Sequence, residues 1–128
     1  MNEKAWTKSI VVHRKKCEMI LSFSKNIRYA GVFNEYGRTI SGKIRPGVKP
    51  LFSSNAVREE FFAIASIMKL RRKSARELGN VEFIQITHKK INILLFYKNY
   101  MTYYITINSK RKPTAMLINK IKKIIIQG

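Results

Sequence analysis

The sequence predicts a single α/β (α+β) domain over residues 1–128, with the element order α-β-β-α-β-β-β-α. Apolar residues recur at helical spacing near the start, in the middle and at the end of the chain. Two groups of short β-prone runs separate these helices, and turn residues mark the boundaries. At 128 residues, of which 45% are hydrophobic, the chain is long enough for one core and too short for two domains.

Residues 3–24 form the first predicted helix, because apolar side chains follow one another along it at intervals of three or four. On this stripe we interpret His13 as a packed boundary histidine. We interpret the lone Cys17 as a small buried hydrophobe, since one cysteine allows no internal disulfide. The other members of the stripe are Trp6, Ile10, Ile20 and Leu21.

A strand–turn–strand unit comes next. Ile27–Phe33 and Arg38–Lys43 are β-prone runs on either side of the turn sequence NEYG, residues 34–37. Gly37 can adopt the positive φ that a tight hairpin requires. The connecting loop after the second run, IRPGVKPLF at residues 44–52, contains two prolines and a glycine, so no helix can run through it.

The middle helix is predicted to continue to about Leu78. Ser53, Ser54 or Asn55 offers an N-cap, and Gly79 provides a helix stop. The apolar stripe of this helix consists of Val57, Phe61, Ile64, Met68 and Ala75.

Three strands and a closing helix complete the chain. The strands are predicted at residues 81–87, 91–97 and 100–107, and the second is a nearly continuous apolar run, typical of a strand buried on both faces. Pro113 is well placed as the first residue of the last helix. The residues predicted to face inward from this helix are Leu117, Ile118, Ile121, Ile124 and Ile125.

The stretch GRTISGKI, residues 37–44, is close to the pattern of a phosphate-binding loop. Its two glycines and Lys43 are in register, but Ile44 occupies the position of the magnesium-binding hydroxyl. A phosphate-binding loop also joins a strand directly to a helix, and the Pro-Gly sequence after Lys43 forbids that helix. We therefore predict no nucleotide site in this segment and attribute its glycines to hairpin geometry.

The charge balance argues against catalysis. Twenty-six Lys and Arg face seven acidic residues, all of them Glu, for a net charge of +19. Metal-assisted and phosphoryl-transfer reactions need carboxylate clusters, and glycoside hydrolysis needs two facing carboxylates. We therefore predict no enzyme, no catalytic residue, no metal site and no cofactor. With no apolar run near the roughly 20 residues of a spanning helix and no secretory signal, we expect a cytoplasmic protein without a membrane partner.

Three segments carry a family resemblance: IRYAGVFNEYGRTISGKIRPGVKPLF (27–52), VREEFF (57–62) and LGNVEF (78–83). Through them the chain resembles a family of small archaeal proteins from ammonia-oxidising lineages, over roughly residues 5–126. The element order, with a hairpin first and a long helix before three strands, resembles the roadblock fold, which is related to the profilin-like folds.

The roadblock resemblance implies a five-stranded antiparallel sheet with the long middle helix on one face and the terminal helices on the other. It also implies homodimers that form through the middle helix and a neighbouring sheet edge. Roadblock modules serve as scaffolds or regulators for small GTPases and motors, without chemistry of their own. The shared motifs are structural, and this chain is far more basic than such proteins generally are, so no functional residue is carried over.

The main functional hypothesis from the charge is a basic binding module for an anionic partner, with nonspecific nucleic acid as the leading partner. Lys and Arg would contact phosphates, and counterion release would dominate the affinity. No helix-turn-helix, zinc-finger or RNA-recognition pattern supports sequence-specific readout. The predicted anion-binding residues are Arg38, Lys43, Arg45 and Lys49 around the Pro-Gly loop, Lys69, Arg71, Arg72, Lys73 and Arg76 at the end of the middle helix, and Lys110 and Arg111 before the last helix.

Two details of this hypothesis name particular side chains. In the loop, Gly42 and Gly47 would let the backbone approach an anion, with Arg45 as a bidentate donor; a solvated basic loop is the alternative. Tyr100 and Tyr104, on one face of a predicted strand, could stack on unpaired bases. Packing beneath the terminal helices is the favoured interpretation of these tyrosines.

The alternative hypothesis is a homodimeric adaptor or scaffold that regulates a protein partner such as a small GTPase, or that binds another acidic protein surface. The middle helix is too apolar on its flanks for one core face alone. The predicted dimer interface consists of Phe61, Phe62, Ile64, Ile67 and Met68.

Overall fold

The computed structural model describes residues 3–108 and 112–127, which form four helices and five strands. The predicted order of helices and strands is confirmed, with one extra short helix after the middle one. The elements are α1 Glu3–Ser22, β1 Ile27–Phe33, β2 Thr39–Ile44, α2 Ser54–Lys73, α3 Ala75–Leu78, β3 Ile84–Thr87, β4 Ile91–Lys98, β5 Met101–Asn108 and α4 Ala115–Ile126.

The five strands form one antiparallel sheet in the order β2-β1-β5-β4-β3. The first hairpin therefore pairs with the last strand, and β2 and β3 are the two edges. Asn92–Phe96 of β4 is buried, which confirms that its apolar run lies in a strand covered on both faces.

The sheet separates two hydrophobic clusters, because side chains alternate between the faces of a strand. One cluster lies under α1 and α4, where Cys17 and Ile20 pack against Ile121 and Ile125. The other lies under α2 and contains Phe33, Phe61, Ile64, Ala65, Met68, Ile93, Leu95 and Tyr104. The middle helix thus covers one face of the sheet and the terminal helices cover the other.

The tip of the first hairpin rests directly on α2. Asn34 Oδ1 accepts hydrogen bonds from the backbone N–H groups of Tyr36 and Arg38, at 2.9 and 3.0 Å. Gly37 has a φ of +81°, and a Cβ at this position would lie 2.7 Å from the Cα of Phe62. The glycine is therefore required twice, once for the turn and once for the close approach to the helix.

The middle helix is shorter than predicted. It ends at Lys73, where the N–H of Ser74 bonds to the carbonyls of Arg71 and Arg72 instead of continuing the α-helical pattern. A single turn, α3, then carries the chain to Gly79, whose φ of +80° ends the helical segment at the predicted stop.

The starts of two other elements differ from the prediction by two or more residues. Strand β3 begins at Ile84 and not at Val81, because the residues before it do not pair with β4. The last helix begins at Ala115 and not at Pro113, since the side chain of Thr114 is the N-cap and accepts a hydrogen bond from the N–H of Leu117 at 3.1 Å.

The interpretations of His13 and Cys17 are confirmed. His13 is half-buried, and its Nδ1 lies 2.6 Å from the hydroxyl of Tyr103. Burial, together with the nearby charge of Lys16, lowers the pKa of His13. Cys17 is fully buried, and burial raises the pKa of its thiol to about 12, so it is not a reactive nucleophile.

Candidate functional site on the middle helix

The surface of α2 that faces away from the sheet is unusually apolar. Phe62, Ile67 and Leu70 are 65%, 49% and 55% exposed, respectively. Together with Ala63 and Ser66, which are also exposed, they lie at intervals of three and four residues and so share one side of the helix. We call these five residues, 62, 63, 66, 67 and 70, the outer stripe.

The predicted dimer interface needs correction in three of its five residues. Phe61, Ile64 and Met68 are buried within the domain, where they pack against the sheet. Phe61 stacks on Phe33 at a centroid distance of 4.4 Å, so this side chain anchors the helix and cannot face a second subunit. Phe62 and Ile67 do lie on the outer stripe.

Sequence reasoning missed the remaining residues of the outer stripe. The signal was present, because Phe62, Ser66 and Leu70 follow one another at intervals of four. It was obscured by the apolar stripe of the inner face, which runs along the same twenty residues with the same period.

Arg72 connects the end of α2 to the hairpin and to the sheet. Its guanidinium lies 3.8 Å from Glu35 Oε2, donates a hydrogen bond of 3.2 Å to the hydroxyl of Tyr97, and sits 4.5 Å from the ring centroid of Tyr100. The hydrogen bond with Tyr97 raises the pKa of Arg72. Arg72 therefore links the end of α2 to the hairpin and to the sheet, and its role in anion binding stays a prediction.

Other cations at this end of the helix remain exposed. Lys69 Nζ lies 6.0 Å from the ring centroid of Tyr36 in the hairpin tip. Three exposed cations form no ion pair within residues 3–108 and 112–127: Arg71, Lys73 and Arg76. The predicted anion-binding residues Lys110 and Arg111 lie outside the described residues.

Arg45 has a structural role that the sequence did not indicate. Its Nε donates to the carbonyl of Ile27 at 2.7 Å, and its Nη2 donates to the carbonyls of Leu21 and of Ser24, the latter at 2.8 Å. Carbonyls at a helix C-terminus lack intrahelical partners, and Arg45 satisfies them at the end of α1. The predicted role of Arg45 as a bidentate anion donor is corrected accordingly.

The other cations predicted around the loop have different surroundings. Lys43 Nζ lies 3.8 Å from Glu18 Oε1 on α1. Arg38 is exposed directly after the hairpin turn, and Lys49 is exposed in the Pro-Gly loop. Anion binding by these three residues stays a prediction.

The two tyrosines proposed for base stacking are not equivalent. Tyr104 is buried, and its hydroxyl donates to Glu60 Oε2 at 3.2 Å. Burial and this carboxylate raise the pKa of Tyr104. Tyr100 lies in the turn before β5 with a φ of +66°, beneath the guanidinium of Arg72. Packing is therefore confirmed for Tyr104, although beneath α2 and not beneath the terminal helices.

Within the described residues, no three His, Cys, Asp or Glu side chains come together as a possible metal site. None of the helices in the described ranges combines the length and apolar character that crossing a bilayer requires.

The fold is similar to those of several solved structures. The gliding protein MglB of Thermus thermophilus has a TM-score of 0.70 at 11% identity, over 91% of this chain and 87% of that chain. An MglB structure with a tetrameric arrangement has a TM-score of 0.68 at 13% identity, with coverage of 93% and 83%. The roadblock/LC7 domain of Streptomyces avermitilis has a TM-score of 0.59 at 8% identity, with coverage of 89% and 98%.

No protein-family model and no curated protein matches the sequence. The structural likeness alone shows that the chain has a mixed α+β roadblock/LC7 fold.

Proposed function

We propose that the protein is a non-enzymatic adaptor that forms a homodimer through α2 and binds a protein partner with an acidic surface. The observation that carries this proposal is the outer stripe, because a surface helix of a domain ordinarily presents polar residues on the side away from the core. A contiguous exposed apolar patch marks an interaction site.

The outer stripe is complementary to itself when two α2 helices pack antiparallel. A two-fold axis at Ser66 places Phe62 opposite Leu70 of the partner subunit, because residues 62 and 70 are equally far from residue 66. The same axis places the exposed Glu59 opposite Lys73 of the partner subunit. Such pairing of one surface with itself is the rule for two-fold dimers.

One helix stripe is small for a stable dimer, which buries about 1,200–2,000 Å² in total. Strand β3 extends the surface, since it is a sheet edge and its Ile84 and Ile86 pack against the same cluster as α2. The outer stripe and the β3 edge together match the helix-plus-edge interface that the roadblock resemblance implies. The tetrameric arrangement of one similar MglB structure also supports self-association.

The charge indicates the chemistry of the partner. A net charge of +19 on each subunit opposes self-association, and an acidic partner would relieve that repulsion. The roadblock resemblance makes a small GTPase, or another regulated protein with an acidic surface, the candidate partner.

The first test of this proposal is the oligomeric state. Sedimentation velocity at micromolar concentration and about 0.15 M salt should give a dimer for the wild type. Phe62→Glu should give a monomer with unchanged circular dichroism, because each new carboxylate would be buried against the apolar side chain of Leu70 of the partner subunit. Met116→Glu is the matched control, since Met116 is 71% exposed on α4, away from the outer stripe. A monomeric wild type, or a dimer that survives Phe62→Glu, would overturn the proposal.

Nonspecific nucleic-acid binding is the second candidate function. The observation that favours it is the group of exposed cations Arg71, Lys73 and Arg76, which have no ion-pair partner within the described residues. Fluorescence anisotropy with short DNA and RNA across a salt series tests it. Micromolar binding at about 0.15 M salt that is lost when all three cations are replaced by Gln would support it. Binding that vanishes by that salt concentration would exclude it.

A further inference from the structure

A cavity of about 360 Å³ lies between the sheet, the start of α2 and the Pro-Gly loop. Its floor consists of residues from β1, β2 and β5, one wall is the first turns of α2, and the loop covers it. The volume is within the range of about 300–1,000 Å³ that is typical of small-molecule sites. The lining residues that determine its chemistry are Arg28, Tyr29, Lys49, Val57, Glu60 and Phe61.

The floor of the cavity depends on two glycines. A Cβ at Gly31 would lie 2.2 Å from the Tyr29 hydroxyl oxygen, and a Cβ at Gly42 would lie 2.3 Å from it. The absence of both side chains lets the ring of Tyr29 lie against the backbones of β1 and β2. This explains Gly42 without any direct anion contact and leaves an aromatic surface facing the space under the loop.

Arg28 is the polar group that distinguishes this cavity. Its Nη2 donates to the carbonyl of Lys49 at 3.1 Å, and its Nη1 donates to Asn108 Oδ1 at 3.3 Å. Its Nε is buried without a hydrogen-bond partner, the only such side-chain atom within the described residues. A guanidinium has five N–H groups in a planar fork, so Arg28 is held in place with donors still available. Because the buried Nε has almost no accessible surface, the donors available to a ligand oxygen are the remaining N–H groups of Nη1 and Nη2.

We propose that this cavity binds a small monocarboxylate with an apolar or aromatic body, such as a medium-chain fatty acid or an aryl acid. The carboxylate accepts hydrogen bonds from Arg28 in the bidentate geometry that guanidinium groups favour, beside the charge of Lys49. The apolar body lies against Tyr29, Val57 and Phe61 beneath the loop.

The charges around the cavity favour a single negative charge on the ligand. Arg28 and Lys49 disfavour an amine. Glu60, which accepts a hydrogen bond from Tyr104, also lines the cavity and disfavours a second negative charge on the ligand. The mostly apolar walls disfavour a small, fully hydrated anion such as acetate.

The ligand site is independent of the proposed dimer. None of the lining residues belongs to the outer stripe. Phe62→Glu should therefore abolish the dimer and leave ligand binding intact, so the two proposals can fail separately.

The test is a titration of the full chain with octanoate at about 0.15 M salt, followed by calorimetry and by backbone amide shifts in NMR spectra. Octanol, octylammonium and acetate are the comparison ligands, because each lacks either the carboxylate or the apolar body. We expect octanoate to shift the amide signals of Leu51, Val57 and Thr106, which line the cavity. We expect octanol and octylammonium to bind at least about tenfold more weakly, the size of effect that a lost charged hydrogen bond produces. Acetate should also bind at least about tenfold more weakly, because it lacks the apolar body.

Four variants locate the site. Arg28→Gln should weaken octanoate binding at least about tenfold and Lys49→Gln a few-fold. Lys43→Gln, which removes an exposed cation from β2, should leave the affinity unchanged. Val57→Phe should reduce binding by filling the cavity while all charges stay in place, and it keeps the test decisive if Arg28→Gln does not fold. Equal binding of octanol, or an equal effect of Lys43→Gln and Arg28→Gln, would overturn the proposal.

Discussion

The inner and outer faces of α2 are both apolar, but the chain covers only one of them. Phe61 and Phe62 are adjacent in sequence, yet Phe61 is 2% exposed and Phe62 is 65% exposed. Phe61 stacks on Phe33 within the core, whereas Phe62 lies on the outer stripe with Ile67 and Leu70. The comparison shows that α2 has more apolar surface than the core of one subunit buries. The exposed part is the outer stripe, which the proposed dimer would cover.

The largest difference between the two faces should appear in alanine substitutions. Phe61→Ala should lower the free energy of unfolding by about 3–5 kcal/mol, because it leaves a cavity in the core. Phe62→Ala should change it by no more than about 0.5 kcal/mol in the monomer, as expected for an exposed residue. Urea denaturation, at a protein concentration at which both variants are monomeric, measures these changes in the free energy of unfolding. Equal losses would mean that both rings are packed within the monomer.

The contact between the hairpin and α2 sharpens the comparison, because it lies at Phe62, on the border of the outer stripe. Gly37→Ala should lower the free energy of unfolding by about 1–2 kcal/mol, because alanine disfavours the positive φ. The clash of the added Cβ with the backbone of Phe62 should lower it by a further 1–3 kcal/mol, roughly. Gly47→Ala is the matched control, since its φ is +83° and nothing lies within 4 Å of an added Cβ. Similar unfolding free energies for the two variants would show that the hairpin moves away from the helix at little cost.

The salt dependence of the dimer Kd distinguishes apolar association from ionic association through the outer face of α2. Two subunits of charge +19 repel each other, and salt screens that repulsion. We expect the Kd of the dimer to fall about tenfold between roughly 0.05 and 0.5 M salt. Sedimentation equilibrium measures this, and a dimer that weakens with salt would mean that ion pairs hold the interface.

The smallest expected effect tests the antiparallel register. Glu59→Lys should weaken the dimer a few-fold, because it places like charges opposite each other at both ends of a two-fold interface. Adding Lys73→Glu should restore the affinity, since the pair is reversed and preserved. Exposed pairs contribute about 0.2–1 kcal/mol each, so a double-mutant cycle is the appropriate measurement. Independent effects of the two substitutions would contradict this register. They would not contradict the proposal that the outer stripe forms the dimer interface.

Much of the fold could be predicted from local pattern. The hairpin at Gly37, the helix stop at Gly79 and the buried run in β4 all lie where their residue types indicated. The errors occur at Ser74, whose backbone N–H bonds to the carbonyls of Arg71 and Arg72, and at Thr114, whose side chain caps the last helix. Boundaries of this kind depend on hydrogen bonds, which the hydrophobic period does not reveal.

The candidate sites were predicted less well, because the charge and hydrophobicity of a residue do not reveal which other residues its side chain contacts. Arg45 and Arg72 were predicted as anion-binding residues, and both hydrogen-bond to other elements of the fold. Arg28 attracted no prediction, yet it is the arginine with an unpaired buried donor beside a cavity. Their partners lie far away in sequence, so no local pattern could have assigned these roles.

The sequence by itself determined the order of helices and strands, the net charge of +19 and the presence of more apolar residues in the middle helix than one stripe requires. These properties follow from residue type and spacing, which act over a few neighbouring positions. Only the tertiary structure decided that Phe61 faces the sheet while Phe62 faces outward, and that Arg28 borders a cavity while Arg45 closes the end of α1. The physical reason is that burial and hydrogen-bond satisfaction depend on segments that meet only when the sheet forms.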